Sequence, residues 1–156
     1  MPFTIESFRS RGIYYGPRIM KPLIYLSGTI DNITVDEACG WRNQIKKDYP
    51  QYQYHDPTIR IYHGAHGDTK EIVEPDKKEI LESDIMLVNL THYSAGTLME
   101  IMYAYEHKKP VVLVNATNKE FLSAWIRYHA KIFLSLDDAM SYIKGITASS
   151  LTPTMS

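Results

Sequence analysis

The stretch DIMLVNLTHYSAGTLME, residues 84–100, joins a strand to a helix and decides the fold. Residues 84–90 are dominated by apolar side chains, which is typical of a strand that is covered on both faces. The polar turn 91–94 follows, and a helical pattern begins near Gly96. A buried strand that leads directly into a helix predicts one β–α unit of a parallel sheet.

The same alternation of short apolar runs and helical patterns continues in both directions along the chain. Thr34 and Thr117 each begin a capping-box pattern, and Pro75 suits the first turn of a helix. The predicted strands are 23–26, 52–55, 84–90, 110–115 and 131–134, and the predicted helices are 34–49, 75–83, 96–107, 117–129 and 135–145. We therefore expect an α/β three-layer sandwich with a five-stranded parallel sheet, flavodoxin- or Rossmann-like, with a Gly- and His-containing loop at residues 56–73.

The length of 156 residues suits one compact domain. We expect an N-terminal arm at 1–20, the domain at 21–146 and a polar tail at 147–156. The 17 basic residues nearly balance the 18 acidic ones, which argues against a nucleic-acid-binding protein. The single cysteine, Cys39, excludes an internal disulfide and a cysteine-based zinc site, and no apolar run is long enough to cross a bilayer. These features predict a soluble protein of a reducing compartment, the cytoplasm, that binds neither nucleic acid nor membrane.

Ligands of open parallel sheets bind at the carboxyl ends of the strands, near a switch in strand order. Three loops follow the predicted strands at that edge: residues 27–32, 91–97 and 115–123. In the second loop, Gly96 and Thr97 would expose backbone N–H groups at a helix start, where anions bind. Glu100 lies about one turn inside this helix among apolar neighbours. A lone helical glutamate is usually a surface residue, but this position favours a functional carboxylate.

Two further segments carry polar groups that suit a ligand. Ser27, Gly28 and Thr29 offer hydroxyls and amides to a phosphate, although they form neither a P-loop nor a dinucleotide fingerprint. A plain tight turn is the alternative interpretation. Asp76 follows Pro75 near a predicted helix start, where an acid often serves only to complement the helix dipole.

The histidines and the cysteine give weaker signals. His63 and His66 are three residues apart with Asp68 nearby, a pattern that loosely suggests a metal. Because no further ligands are in register, a solvated loop is the preferred interpretation. Cys39 lies in the middle of a predicted helix, where a core position is favoured over a nucleophile.

Four segments taken together resemble the nucleoside 2-deoxyribosyltransferase superfamily, and within it the 2'-deoxynucleoside 5'-phosphate N-hydrolases. They are Tyr25-Leu26-Ser27-Gly28-Thr29-Ile30, Asp76 eight residues before Asp84, Ser94 to Glu100, and Leu122-Ser123-Ala124-Trp125-Ile126-Arg127. The resemblance spans residues 22–143, and the joint order and spacing of the segments carry it.

The resemblance implies a catalytic group of three residues. Glu100 would be the nucleophile that attacks the anomeric carbon of the sugar and forms a glycosyl-enzyme intermediate. Asp76 would protonate or hydrogen-bond the departing base, with a raised pKa, while Glu100 stays ionised. Tyr25 would steady the nucleophile, and a tyrosine there goes with deoxyribose substrates. No metal or organic cofactor is needed.

The resemblance also implies a substrate with a 5'-phosphate. Ser94 stands where transferases that act on free nucleosides have an aspartate, and a hydroxyl can donate to a phosphate that a carboxylate would repel. The substrate-binding residues would be Ser27, Gly28, Thr29, Ile30, Ser94, Gly96 and Ser123. In the monophosphate hydrolases, the serine that matches Ser123 comes from a neighbouring subunit, which implies a homodimer with shared sites. Phe121, Trp125 and Tyr128 have the aromatic character of such an interface.

Three other functions stay open at this stage. A deoxyribosyltransferase would exchange bases, and a ribonucleoside monophosphate N-glycosidase of the CMP-cleaving type would share the Gly-Thr-x-x-Glu element. A nucleotide sensor on the same frame would need neither Asp76 nor Glu100. The departures from the hydrolase pattern are Thr29 in place of a serine and Asp31 where a basic residue can occur. The loop with His63 and His66 has no match and is expected to shape base choice.

Overall fold

A computed structural model describes residues 21–63 and 69–151 of the chain. The elements in chain order are β1 (Leu23–Gly28), α1 (Val35–Asp48), β2 (Gln53–His55), α2 (Pro57–His63), α3 (Thr69–Glu82), β3 (Ile85–Leu90), α4 (Ala95–Glu106), β4 (Val111–Asn115), α5 (Ala124–His129), β5 (Lys131–Phe133) and α6 (Leu136–Leu151). The five strands form one parallel sheet in the order β2-β1-β3-β4-β5. The predicted three-layer α/β sandwich with a five-stranded parallel sheet is therefore confirmed.

The sheet carries a separate apolar core on each face. Alternate residues of a strand point to opposite faces, so Ile24 and Leu26 pack with α1 and α6, while Tyr25 and Met86 pack with α3, α4 and α5. Strand order reverses between the neighbouring strands β1 and β3. From β1 the chain continues to β2 on one side of the sheet, and from β3 it continues to β4 on the other side. Such a switch point opens a crevice at the carboxyl ends of the two strands.

The prediction of a loop at residues 56–73 was wrong for residues 57–63 and 69–73. Residues 57–63 form α2, and α3 begins at Thr69, so Pro75 lies inside that helix rather than in its first turn. A proline in a helix leaves the carbonyl four residues earlier without its donor. Here that residue, Glu71, is exposed, so water can solvate its carbonyl and the helix continues. His66 and Asp68 lie outside the described residues, as does the side chain of His63.

The start of α5 also differs from the prediction. The capping box at Thr117 opens no helix, because the Asn115 side chain accepts hydrogen bonds from the Thr117 N–H at 3.1 Å and hydroxyl at 2.6 Å. Asn115 also donates to the Lys119 carbonyl at 2.9 Å. These local bonds hold the segment in a turn. The helix begins at Ala124, after Ser123 as its N-cap.

Helix α6 does not end at Gly145 as expected but continues to Leu151. A glycine inside a helix costs roughly 0.5–1 kcal/mol relative to alanine, and burial of Ile143 and Thr147 on either side of Gly145 offsets this. Thr147 donates to the Ile143 carbonyl at 2.8 Å. The first residues of the predicted tail at 147–156 therefore belong to this helix. The expected arm at 1–20 lies outside the described residues.

Gly28, the last residue of β1, is required by close packing. A Cβ atom there would lie 3.0 Å from the Asn89 carbonyl oxygen and 3.1 Å from a ring carbon of Trp41. We expect Gly28→Ala to lower the free energy of unfolding by about 1–3 kcal/mol, since the backbone of β3 cannot move aside cheaply. Denaturant unfolding measures this change.

The matched control is Gly40→Ala on α1. A Cβ at Gly40 would meet no atom within 4 Å, and the residue is exposed. Alanine should therefore stabilise the helix by about 0.5–1 kcal/mol. Equal effects of the two substitutions would contradict the close packing at Gly28.

Candidate active site at the switch point

Side chains from three elements meet on the α3–α4 face of the sheet. Tyr25 and Ser27 are two residues apart on β1 and point to this face, and both are fully buried. Glu100 lies on α4 in line with the buried residues Thr97 and Ala104, one turn to either side. Helix periodicity thus directs the Glu100 carboxylate toward the sheet instead of toward solvent.

The surroundings of Glu100 destabilise the charged form of its carboxylate, and we call this the strained state of the carboxylate. Its Oε2 atom is inaccessible to solvent, whereas the residue as a whole is partly exposed. Burial and the neighbouring charge of Asp76 raise its pKa from 4.5 to about 7. The nearby hydroxyls of Tyr25 and Ser27, together with the charge of Arg42, oppose this rise. Glu100 therefore exchanges a proton near neutral pH.

The polar atoms around Glu100 have spare hydrogen-bonding capacity. Tyr25 Oη, Ser27 Oγ and Glu100 Oε2 are buried, and among the described residues none of them has a hydrogen-bond partner of good geometry. The two hydroxyls nevertheless lie near enough to Glu100 to influence its pKa. Burial, followed by the charges of Glu100 and Asp76, raises the pKa of Tyr25, so this phenol stays neutral. The cluster can therefore accommodate the polar groups of a ligand.

Asp76 is the second carboxylate of the site, and its position differs from the prediction. It is the eighth residue of α3, so the interpretation as a helix-dipole acid at a helix start was wrong. Burial raises its pKa, while an ion pair with Arg60 at 2.7 Å opposes the rise. Glu100 has no such direct cation partner among the described residues. The pKa of both carboxyl groups is therefore raised, and in Asp76 a direct ion pair opposes the rise.

Arg42 positions the end of β1 and was not singled out from the sequence. Strand β2 pairs with Leu23 to Tyr25, so the last residues of β1 have no strand partner on that side within the described part of the chain. The fully buried Arg42 donates instead to the carbonyls of Leu26 at 3.2 Å and Gly28 at 3.0 Å. It also approaches Asp56 at 3.7 Å. These contacts hold Ser27 in place beside Glu100.

Arg60 and Glu79 are two further residues of the site that were not anticipated. Arg60 on α2 contacts both Asp76 and Glu79. The helix that carries Arg60 did have a sequence signal, since Asp56 precedes Pro57 and accepts a hydrogen bond from the Thr58 N–H at 3.0 Å. An aspartate followed by proline is a typical helix start.

Two bonds tie the three loops at the carboxyl edge together. Thr29 donates to the His92 carbonyl at 3.4 Å, and the Ser123 N–H donates to the Tyr93 hydroxyl at 3.4 Å. The predicted substrate-binding residues therefore lie on adjoining loops. Ser94 acts as the N-cap of α4 and accepts from the Thr97 N–H at 3.3 Å.

The other predicted binding residues occupy different surroundings. Gly96 lies in the first turn of α4, where a Cβ atom would meet nothing within 4 Å. Ile30 is half-buried in the loop after β1. Ser123 caps α5 and lines a groove between α4 and α5 whose lining does not include Tyr25, Asp76 or Glu100. Trp125 also lines this groove, and Phe121, Trp125 and Tyr128 are each more than two-thirds exposed: 77%, 71% and 71%.

Residues 21–63 and 69–151 contain no cluster of three or more His, Cys, Asp or Glu side chains that could hold a metal ion. Their helices include none with the length and apolar character needed to cross a membrane. Cys39 lies on α1 as a free, partly buried thiol.

The strained carboxylate predicts a pH-dependent gain in stability for Glu100→Gln. Because the pKa of Glu100 is raised in the folded state, its ionisation weakens folding progressively between about pH 4.5 and 7. Near pH 4 the variant should therefore have the same free energy of unfolding as the wild type. At about pH 8 its free energy of unfolding should be higher than that of the wild type by at most about 3 kcal/mol. Denaturant unfolding at both pH values measures this.

Glu106 on the same helix provides the control. It is exposed, so Glu106→Gln should change the free energy of unfolding by a similar small amount at both pH values. A Glu100→Gln variant without a pH-dependent gain would contradict the strained state of this carboxylate.

The same arrangement of strands and helices occurs in solved structures of low sequence identity. One is a 2-deoxyribosyltransferase from Bacillus psychrosaccharolyticus, with 19% identity, a TM-score of 0.67 and coverage of 80% of this chain and 95% of that chain. A conserved protein from Enterococcus faecalis V583 has 17% identity, a TM-score of 0.61 and coverage of 83% and 99%. The molybdenum cofactor carrier protein of Chlamydomonas reinhardtii has 19% identity, a TM-score of 0.55 and coverage of 82% and 99%.

These similarities show a shared fold. No protein-family profile matches the sequence. No curated protein matches it either. Because the fold neighbours include an enzyme and a carrier, the fold alone does not decide between catalysis and binding.

Proposed function

We propose that this protein is a member of the nucleoside 2-deoxyribosyltransferase superfamily that hydrolyses the N-glycosidic bond of 2'-deoxynucleoside 5'-monophosphates. The products are a free base and 2-deoxyribose 5-phosphate. The observation that carries the proposal is the meeting of the Glu100 and Asp76 carboxyl groups with Tyr25 at the switch point. A pair of carboxyl groups is the usual equipment for cleaving a glycosidic bond.

In the first step, a Glu100 carboxylate oxygen bonds to C1' of the sugar while the bond from C1' to the base nitrogen breaks. The electron pair of that bond stays on the base, which takes up one proton from the carboxyl pair through Asp76. Glu100 then carries the sugar as an ester. In the second step, water attacks C1' and gives one proton to Asp76, while the ester bond breaks and the Glu100 carboxylate returns. Two displacements at C1' give net retention of configuration.

The charge state of the site suits this sequence of steps. With the Glu100 pKa at about 7 and Asp76 paired with Arg60, the two carboxyl groups can share one proton near neutral pH. One proton is what the departing base requires. Loss of that proton from Glu100 also leaves this side chain as the nucleophile. Tyr25 stays neutral, so its hydroxyl can donate a hydrogen bond to the ionised carboxylate.

At the other end of the sugar, the first turn of α4 supports a phosphate site. Helix N-termini bind phosphate through free amides, and the open space at Gly96 lets a ligand approach the backbone. Ser94 and Thr29 bring hydroxyls from the adjoining loops. Ser123 would complete the phosphate site of a second subunit, with Phe121, Trp125 and Tyr128 in a homodimer interface. Their exposure supports this arrangement.

Base exchange is the second candidate function. It is favoured by the fold similarity to the Bacillus psychrosaccharolyticus 2-deoxyribosyltransferase. A transferase would use the same first step, and a second base instead of water would then attack C1'. The ester intermediate is common to both reactions, so the choice depends on the acceptor and on the group bound at the 5' position.

A product assay distinguishes these functions. The protein is incubated with the four 2'-deoxynucleoside monophosphates, with CMP and AMP, and with a free deoxynucleoside plus a second base. Release of base and 2-deoxyribose 5-phosphate from a deoxy monophosphate supports the proposal, and base exchange supports the transferase. Cleavage of CMP or AMP alone would assign a ribonucleotide hydrolase. Binding without any product would favour a sensor or carrier and contradict the proposal.

A further inference from the structure

Arg60 joins α2 to the acidic side of α3 through three short contacts. Its Nε atom lies 2.9 Å from Glu79 Oε1, and its Nη2 atom lies 2.6 Å from Glu79 Oε2 and 2.7 Å from Asp76 Oδ1. The three side chains are 29%, 19% and 16% exposed for Arg60, Glu79 and Asp76. Charge-assisted contacts at this burial are stronger than those of a surface ion pair.

Glu79 and Asp76 make different contacts with the Arg60 guanidinium group. Asp76 and Glu79 are three residues apart on α3, so their side chains lie on one face of the helix. Glu79 binds two nitrogens of the guanidinium group, which sets the plane and orientation of this group. Of the two carboxylate oxygens of Asp76, the oriented Nη2 atom contacts Oδ1, so Oδ2 stays available to other partners.

We propose that Arg60, anchored by Glu79, is a positioning residue that holds the Asp76 carboxylate in place and in its ionised form while the site is free of substrate. The proposal rests on the proposed role of Asp76 as proton donor to the base. It adds that a cation in direct contact with Asp76 opposes protonation of this carboxylate before substrate binds.

The charged and titratable groups around Asp76 come from each neighbouring element. Arg60 faces it from α2, Glu79 from its own helix, Tyr25 from β1 and Glu100 from α4. On β2, His55 lies 4.0 Å from Glu79 and 3.1 Å from Glu82. Arg60 lowers the pKa of Asp76 and Glu79 raises it. Opposite substitutions should therefore move the titration of Asp76 in opposite directions.

Titration of the Asp76 carboxyl carbon by NMR, in protein free of substrate, tests this inference. Arg60→Gln removes the cation, so the apparent pKa of Asp76 should rise by about one unit or more. Glu79→Gln removes an anion and should lower the pKa. Arg60→Lys keeps the charge and should restore the titration. Lys78→Gln, which removes an exposed charge from the same helix, should leave it unchanged.

Activity gives the second measurement. Since the loss of Arg60 stabilises the proton on the pair, both limbs of the pH profile of kcat/KM should move to higher pH in Arg60→Gln, with kcat lowered about 10- to 100-fold. In Arg60→Lys the profile should return to the wild-type pH while kcat stays reduced, because the planar fork is missing. A residue with a merely structural role would leave the pH profile where it was.

The outcomes separate the two proposals. If the wild type releases no base, the proposed function fails. The NMR titration still decides whether Arg60 and Glu79 control the pKa of Asp76. If the wild type is active and Asp76 titrates identically in Arg60→Gln and Glu79→Gln, the inference is overturned. Should Arg60→Gln fail to fold in thermal unfolding, Glu79→Gln and Arg60→Lys carry the same test. A lower pKa of Asp76 in Glu79→Gln, together with a wild-type titration in Arg60→Lys, supports the inference. An unchanged pKa of Asp76 in Glu79→Gln refutes it.

Discussion

Glu100→Gln is expected to abolish base release, with kcat lowered by roughly 10³-fold or more. The amide has nearly the shape of the carboxylate but cannot form the ester with C1', so the first displacement has no nucleophile. Substrate binding should persist, because the groups proposed to bind the phosphate lie on other residues. Base release is followed by chromatography, and binding by isothermal titration calorimetry.

The same variant contains its own control for folding. The stability gain that we expect near neutral and alkaline pH means that lost activity cannot be attributed to unfolding. Glu106→Gln, on the exposed part of α4, should keep wild-type kcat. Mass spectrometry of the quenched wild-type reaction should find the sugar attached to Glu100. Turnover by Glu100→Gln at a wild-type rate would remove Glu100 from its proposed role.

Asp76→Asn is expected to lower kcat by about 10²- to 10⁴-fold on natural bases. The amide can still pair with Arg60, but it cannot deliver a proton to the departing base. The loss should depend on the leaving group, since a weakly basic phenolate leaves C1' without a proton. We therefore expect a deoxyribose 5-phosphate that carries nitrophenolate at C1' to be cleaved nearly as well by the variant as by the wild type.

The two variants should respond differently to this activated substrate. Glu100→Gln should stay inactive on it, because the nucleophile is missing whichever group departs. Lys78→Gln, from the exposed side of the helix that carries Asp76, should match the wild type on both substrates. An Asp76→Asn variant equally impaired on natural and activated substrates would contradict a role in proton transfer and favour a role in binding.

Elements with strong local signals were predicted correctly. Strands β3 and β4 are dominated by apolar residues, as expected for strands buried between two layers of helices. The capping box at Thr34 is present with both of its hydrogen bonds. In each case the information lies within about four residues, so the sequence is sufficient.

Predictions failed where distant contacts or competing local bonds decide the structure. Pro75 is a helix breaker by its own chemistry, yet α3 continues through it, with Ile80 buried in the core and Arg60 bridging the residues that follow. Thr117 has the pattern of a helix start, but Asn115 takes the bonds that the start would need. A pattern search weighs neither effect.

The sequence by itself determined which face of β1 carries Tyr25 and Ser27 and which stripe of α4 carries Glu100, because side-chain direction follows the strand and helix periods. The tertiary structure alone decided what these groups face. Asp76 reaches the site only because α3 packs beside α4, and Arg60 reaches Asp76 only because α2 folds against α3. The raised pKa values of Glu100 and Asp76 are therefore products of the tertiary structure, since a pKa depends on burial and on charges from segments far apart in the chain.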